Sequence, residues 1–266
     1  MLTHVRVPAT DAELAADALW QGGASAVEER GNGDGFVTLV ADAAPVDVRP
    51  GWQVDSVDEV DLAVVDTWRA HAEPVRAGTR IVVQPPWVAR PVGLRPDDIV
   101  LDIDPGRAFG SGSHPTTRLV LGALERLVAP GSAVLDVGCG SGVLSVGAAR
   151  LGATSVVALD VDPEALEATR ENVRRNAVED IVTVLDLPVG AVDGTFDLVV
   201  ANIGLATITG LASALAARAP SLVLSGFLAG SWEQLLPAFP AFTVTSVLEE
   251  DGWLAVELHS RSFVRC

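Results

Sequence analysis

Apolar and polar residues alternate with a two-residue period over Thr3–Pro8, Ser25–Arg30 and Phe36–Ala41, which predicts three short strands, with a fourth over Gln53–Val57. Asp11–Gln21 instead repeats its apolar positions at helical spacing, with Asp11 available as a cap. The turn-rich Gly31-Asn32-Gly33-Asp34-Gly35 separates the second strand from the third. Together these elements predict a small α+β domain over residues 1–66. Val64–Ala72 then reads as a helix, Arg80–Gln84 as a strand, and the proline-rich stretch 85–96 as a linker, so 67–98 is expected to connect two domains.

From residue 99 the pattern becomes regular. Strands are expected at Ile99–Ile103, Ala133–Val137, Ser155–Leu159, Ile181–Leu185, Phe196–Ala201 and Leu222–Leu224. Helices are expected at Pro115–Val128, from about Gly142 through Leu151, at Pro163–Ala177 and at Leu205–Ala219. Continuous Val/Leu runs alternating with helices predict an α/β domain, a parallel sheet covered on both faces, over 99–266. The ending differs: Thr243–Leu248 and Trp253–Leu258 flank Glu249-Glu250-Asp251-Gly252, a hairpin signal.

Composition removes several chemistries. All 18 basic residues are arginine, so neither a pyridoxal Schiff base nor a phosphate-loop lysine can exist. A net charge of −17 argues against a nucleic-acid partner. Residues 1–66 carry 13 acidic groups against 3 arginines, a balance suited either to a solvated surface or to a basic protein partner. No apolar run reaches the roughly 18 residues of a membrane span, and no signal peptide is visible at Met1–Arg6. Two cysteines, Cys139 and Cys266, cannot build a disulfide framework, so a cytoplasmic protein is expected. A monomer is the separate expectation for its assembly. No metal site is read.

The strand Val134–Val137 runs into Gly138-Cys139-Gly140-Ser141-Gly142, with Asp136 two residues before the first glycine. Glycines let a backbone approach a ligand, and helix-start amides donate to anionic groups. The G-x-G-x-G spacing, with Val143 at the last position of a dinucleotide fingerprint, suits a compact amino-acid nucleoside; a structural tight turn is the alternative. Asp160 follows the next strand, where it can accept both ribose hydroxyls, whereas Asp162-Pro163-Glu164 reads as a helix start. Asp186, closing the third strand, is either a partner of an adenine amino group or a plain loop carboxylate. Asn202, at the end of the fourth strand, either presents a carboxamide to the crevice or stabilises a turn. Cys139, in a tight turn with no nearby histidine, reads as a packing residue.

The segment Asp104-Pro105-Gly106 through Phe109-Gly110-Ser111-Gly112-Ser113-His114-Pro115-Thr116-Thr117 leads into the helix before the glycine strand and reads as a mobile lid. Thr116 or Thr117 can offer a hydroxyl to cofactor, and His114 is a base or, more simply, a loop organiser.

This lid, the glycine turn at Asp136–Gly142, the acidic pair Asp160 and Asp162, Ala201-Asn202-Ile203 and Leu224-Ser225-Gly226-Phe227-Leu228 together resemble the PrmA family, methyltransferases of large-subunit ribosomal protein eleven. The connector tryptophans Trp68 and Trp87 fit as well, and the likeness spans about residues 66–260. It implies a class I (Rossmann-like) methyltransferase sheet with a terminal antiparallel hairpin, S-adenosylmethionine as cofactor, and a substrate-recognition domain in 1–66. Thr117, Gly138, Asp160 and Asn202 would contact the cofactor by this resemblance. With Phe109, Asp136, Gly140 and Asp186 they complete the candidate binding set, and Asn202 is also the catalytic candidate. The family has leucine after Ala-Asn-Ile where this chain has Gly204, and residues 1–66 are shorter and more diverged than the family's domain. The expected reaction is methyl transfer to lysine or N-terminal amines of that ribosomal protein. Another protein lysine or a small molecule is the alternative acceptor; a nicotinamide oxidoreductase or a non-catalytic binding protein stands last.

Overall fold

The computed structural model describes residues 2–21, 27–31, 35–41, 49, 51–57, 72–106, 108 and 110–261. The chain divides into two compact units, Met1–Ala72 and Glu73–Cys266.

The smaller unit is one helix with an antiparallel sheet. Strands β1 (Leu2–Pro8), β2 (Val27–Gly31), β3 (Phe36–Ala41) and β4 (Gln53–Val57) lie in the order β2-β3-β1-β4. Val5 and Val7, two positions apart, point to one face with Leu39, and helix α1 (Ala12–Gln21) covers them with Ala15 and Leu19. The Asp11 carboxylate accepts the indole N–H of Trp52 at 3.0 Å, which ties the start of α1 to the approach of β4. The helix read over Val64–Ala72 lies outside the described residues except for Ala72.

The larger unit opens with β5 (Val75–Ala77), β6 (Ile81–Gln84) and β7 (Ile99–Asp102), which form a separate three-stranded sheet. Ile99–Ile103, grouped by its regular spacing with the parallel strands, therefore pairs with β6 instead. Periodicity reports which face a strand buries, not which strand lies beside it. β5, only three residues long, carries no readable period.

The main sheet contains β8 (Ala133–Val137), β9 (Ser155–Leu159), β10 (Val182–Leu185), β11 (Leu198–Asn202), β12 (Ser221–Leu228), β13 (Phe242–Glu250) and β14 (Trp253–Ser260). Their order is β10-β9-β8-β11-β12-β14-β13. The first five are parallel; β14 runs antiparallel to both β12 and β13. This is the open sheet with terminal hairpin that the alternation predicts. Successive residues of its central strands enter opposite cores. Val134, Val200 and Val223 pack with α2 (Pro115–Leu127), α3 (Val143–Leu151) and α4 (Pro163–Arg175), while Leu135, Val199 and Leu224 pack with α5 (Leu205–Ala216) and the 3-10 turn Trp232–Ala238. Burial on both faces explains why these strands read as unbroken apolar runs.

The chain leaves β8 toward β9 and β10, then returns to the other side of β8 as β11. Strand order reverses between β8 and β11, and ligands of open α/β sheets bind in the crevice at such a point, beyond the carboxyl ends of the strands. Gly138 and Asn202 stand at those two ends. Among the described residues no helix is long and apolar enough to cross a membrane.

Gly142 starts α3 with φ of 77°, and a Cβ there would lie 2.8 Å from Thr169 Cγ2 and 3.1 Å from Thr169 Cα. Gly142→Ala should therefore destabilise the larger unit by about 2–4 kcal/mol through strain and overpacking. Gly190→Ala, which meets no atom within 4 Å, should change stability by less than about 0.5 kcal/mol. Thermal unfolding of the two variants checks the contrast.

Candidate active site

The turn after β8 is built from three glycines in the left-handed region, with φ of 77° at Gly138, 55° at Gly140 and 77° at Gly142. Gly138 and Cys139 both donate their amides to Leu159 O, at 2.8 and 2.9 Å, so the turn is fastened to the end of β9. A side chain at Gly138 would run into that of Ile203, which places the Asn202-Ile203 segment against the turn. Cys139 is buried, and burial followed by the neighbouring Asp136 carboxyl pushes its thiol up, away from the reactive thiolate. Thr169 donates to its sulfur at 3.2 Å. It packs as expected.

Asp160 is half-buried at the end of β9 and accepts three amides: Gly140 at 2.9 Å, Val161 at 2.8 Å and Asp162 at 3.1 Å. Three donors fix the carboxylate while leaving lone pairs for further partners. Asp162 caps α4 by accepting the Glu164 amide at 2.9 Å, with Pro163 in the first turn.

Asp136 is fully buried. Its Oδ2 accepts the Ser145 hydroxyl at 2.6 Å, while Oδ1 has no partner among the described residues. Burial, reinforced by the charge of Asp160, pushes its carboxyl up to about 7. Thr117, in the first turn of α2, is buried, and its Oγ1 has no partner among the described residues. Buried polar atoms left unmet cost free energy. These two fit a ligand that brings polar groups of its own.

Asn202 ends β11, half-buried, and its carboxamide holds no partner among the described residues. Asp186 follows β10 and is exposed, two strands out from β8. Phe109 lies outside the described residues. Asp136, Gly138, Gly140 and Asp160 are thus brought into one cluster, Asn202 adjoins it through Ile203, and Asp186 stands apart.

The lid segment is bound to this cluster. Ser141 donates its hydroxyl to Gly110 O at 2.7 Å, and Gly110, with φ of 105°, has no room for a side chain against Ser141. Asn172 of α4 donates to Asp104 O at 2.7 Å and Ser141 O at 2.8 Å and accepts the Asp104 amide at 3.0 Å. One turn later Asn176 does the same for Asp102, at 2.9 and 2.8 Å. His114 caps α2, its Nδ1 lying 2.7 Å from Thr116 Oγ1, and its ring meets Trp253 edge-on at 4.8 Å. Burial, then the charge of Arg118, lowers its pKa to about 4. The imidazole is therefore neutral near pH 7 and organises the loop.

Val161, Leu187, Ser145, Asn172 and Trp253 belong to none of the motifs that mark the site in the sequence. Val161 and Leu187 are apolar side chains left 85% and 40% exposed directly after Asp160 and Asp186. An apolar residue at the exposed start of a polar loop was the available signal. Asn172, inside α4, was another, since asparagine is disfavoured within a helix unless its amide has backbone to hold.

The raised carboxyl of Asp136 carries a pH signature. Between about pH 4 and 7 the folded state holds a proton that the unfolded chain has released, so this group's contribution to stability falls as pH rises across that window. Wild type should lose stability relative to Asp136→Asn over that interval and run parallel to it above. Denaturation midpoints of the two proteins at a series of pH values check this; parallel curves throughout would contradict the assignment.

Comparison with known proteins fits this geometry. A model of the family described as ribosomal protein L11 methyltransferase (PrmA) matches residues 8–261. A ribosomal protein L11 methyltransferase of Cupriavidus taiwanensis is 42% identical over 224 residues, covering 83% of this chain and 73% of that protein. One of Ralstonia nicotianae is 42% identical over 225 residues, with the same coverage. The crystal structure of ribosomal protein L11 methylase from Lactobacillus delbrueckii subsp. bulgaricus superposes with a TM-score of 0.66 at 29% identity, covering 72% of this chain and all of that one. The chain belongs to the ribosomal protein L11 methyltransferase family and is an S-adenosylmethionine-dependent protein methyltransferase with the class I fold.

Proposed function

We propose that this chain methylates amino groups, on lysine side chains or the N-terminus, of ribosomal protein L11, acting as a monomer in the cytoplasm. The observation that carries the reading is the pair of buried, unpartnered oxygens, Thr117 Oγ1 and Asp136 Oδ1, in the two segments that Ser141 joins at the strand-order reversal. The acidic balance of residues 1–66 supports their role in attracting a basic protein.

In this reading Gly138 and Gly140 admit the cofactor backbone, and Asp160 accepts the ribose hydroxyls with the lone pairs its three amides leave over. Asp136 meets the ammonium group, and a cation there would favour its ionised form. Thr117 offers its hydroxyl to the amino-acid end. Val161 and Leu187 supply apolar surface for the adenine, with Asp186, next to Leu187 in the chain, as the partner of its amino group. Bound S-adenosylmethionine supplies a methyl group on a sulfonium leaving group. The protein's part is alignment and exclusion of water. Asn202 accepts a hydrogen bond from the incoming amine, which orients its lone pair. The amine must arrive neutral, and loss of its proton to solvent before docking requires no side-chain base.

Label transfer from S-adenosylmethionine to purified L11 tests the acceptor: label in L11 supports the reading, and label on another protein or only in the small-molecule fraction overturns it. Asp160→Ala should weaken cofactor binding on the order of a hundredfold by calorimetry, the scale of two charge-assisted hydrogen bonds. Asn202→Ala should lower that affinity by about tenfold or less, the scale of one neutral hydrogen bond, while lowering kcat roughly a hundredfold, as expected of lost alignment.

A further inference from the structure

The lid ends against the tip of the terminal hairpin, and the contact is made by a residue outside the proposed binding set. Asp251 and Gly252 turn the chain between β13 and β14 with φ of 52° and 81°, a two-residue turn of the primed kind. The tip lies at the carboxyl edge of the sheet, because Trp253 pairs with Leu228 at the end of β12 and Ala229 donates to Gly252 O at 2.9 Å.

Arg118 reaches this tip from the first turn of α2, one residue after Thr117. Its Nε donates to Glu250 Oε1 at 2.8 Å, and its Nη2 lies 2.6 Å from the same oxygen and 3.5 Å from Asp251 Oδ2. Its Nη1 donates to the Ser113 carbonyl, the last lid residue before His114. The Arg118 side chain is 21% exposed and that of Glu250 37%, whereas Asp251 at 75% is open to solvent, so screening falls mainly on the longer contact to Asp251. His114 meanwhile rests on the Trp253 ring. One guanidinium fork thus joins the lid, the helix start and the hairpin, a geometry that a lysine's single ammonium cannot fully reproduce.

We propose that Arg118 is a positioning residue for S-adenosylmethionine: by clamping Ser113 to Glu250 and Asp251 it sets where the Thr117 hydroxyl stands. The terminal hairpin is then part of the cofactor site's framework without touching cofactor. This rests on the reading of Thr117 as a cofactor contact.

The test is calorimetric binding of S-adenosylmethionine and steady-state kinetics for wild type, Arg118→Gln, Arg118→Lys, Glu250→Gln and the Arg118→Gln/Glu250→Gln double variant, with thermal midpoints recorded in parallel. Arg118→Gln should raise both the Kd and the KM for cofactor about tenfold with kcat changed less than about threefold. Arg118→Lys should recover part of the affinity. The double variant should be no worse than Arg118→Gln alone, since both changes break one contact. Wild-type affinity in Arg118→Gln, additive losses in the double variant, or a fall in kcat at constant KM would overturn the proposal. If Arg118→Gln folds poorly, Glu250→Gln decides: its Kd must rise severalfold with its midpoint within a few degrees of wild type, and an unchanged Kd overturns the clamp. Failure of wild type itself to bind cofactor would instead strike the reading of the crevice.

Discussion

Three left-handed glycines between β8 and α3 are the constraint on which the rest of the larger unit depends. Their compact path exposes backbone that four other segments use. Gly140 gives its amide to Asp160 and its carbonyl to Thr169, Ser141 gives its carbonyl to Asn172 and its hydroxyl to Gly110, and Gly138 leaves only enough room for Ile203. β9, α4, the lid and the end of β11 are therefore registered against one five-residue turn. A side chain added there would disturb several registrations together, which couples the fold to the crevice more tightly than core burial alone would.

The lid is held at three places by different chemistry. Asn172 and Asn176 treat Asp102–Asp104 almost as a strand partner, Ser141 fixes Gly110 from below, and Arg118 ties Ser113 to the hairpin. Gly106 and Gly112, between these anchors, adopt positive φ, as does the anchored Gly110. The described residues of this segment thus combine fixed points with glycines whose backbone other residues rarely adopt. Among the described residues, buried oxygens remain unmet at Thr117 and Asp136, in the lid segment and in the strand that enters the glycine turn, and at Gln84 in β6.

Much of this was legible in the residues themselves. Spaced glycines state their own backbone requirement, and strands buried on both faces announce themselves as Val/Leu runs, so the parallel sheet and its terminal hairpin could be read directly. Asp162 was separable from Asp160 because Pro163 and Glu164 complete a helix start. What local pattern could not carry was partnership. Nothing in Ile99–Ile103 says that β6 is its neighbour, and nothing in Val75–Ala77 distinguishes a three-residue strand from a loop. Helix ends were overrun for a similar reason: α4 stops at Arg175, with Ala177 at φ of 52°, although the apolar spacing continues. The burial of Asp136, which decides its proton affinity, depends on Ser145 and the surrounding core rather than on the motif that contains it. Arg118 and Trp253 were silent because their meaning comes from residues 132 and 139 positions away in the chain.

The most direct measurement of the central claim is a crystal structure of the protein with S-adenosylhomocysteine. The account predicts product density beyond the carboxyl ends of β8 and β9, with the ribose on Asp160, the backbone of the Gly138–Gly142 turn against the ligand, and Thr117 and Asp136 each gaining a partner. Density elsewhere, or a ligand in that crevice that leaves both buried oxygens unmet, would contradict it.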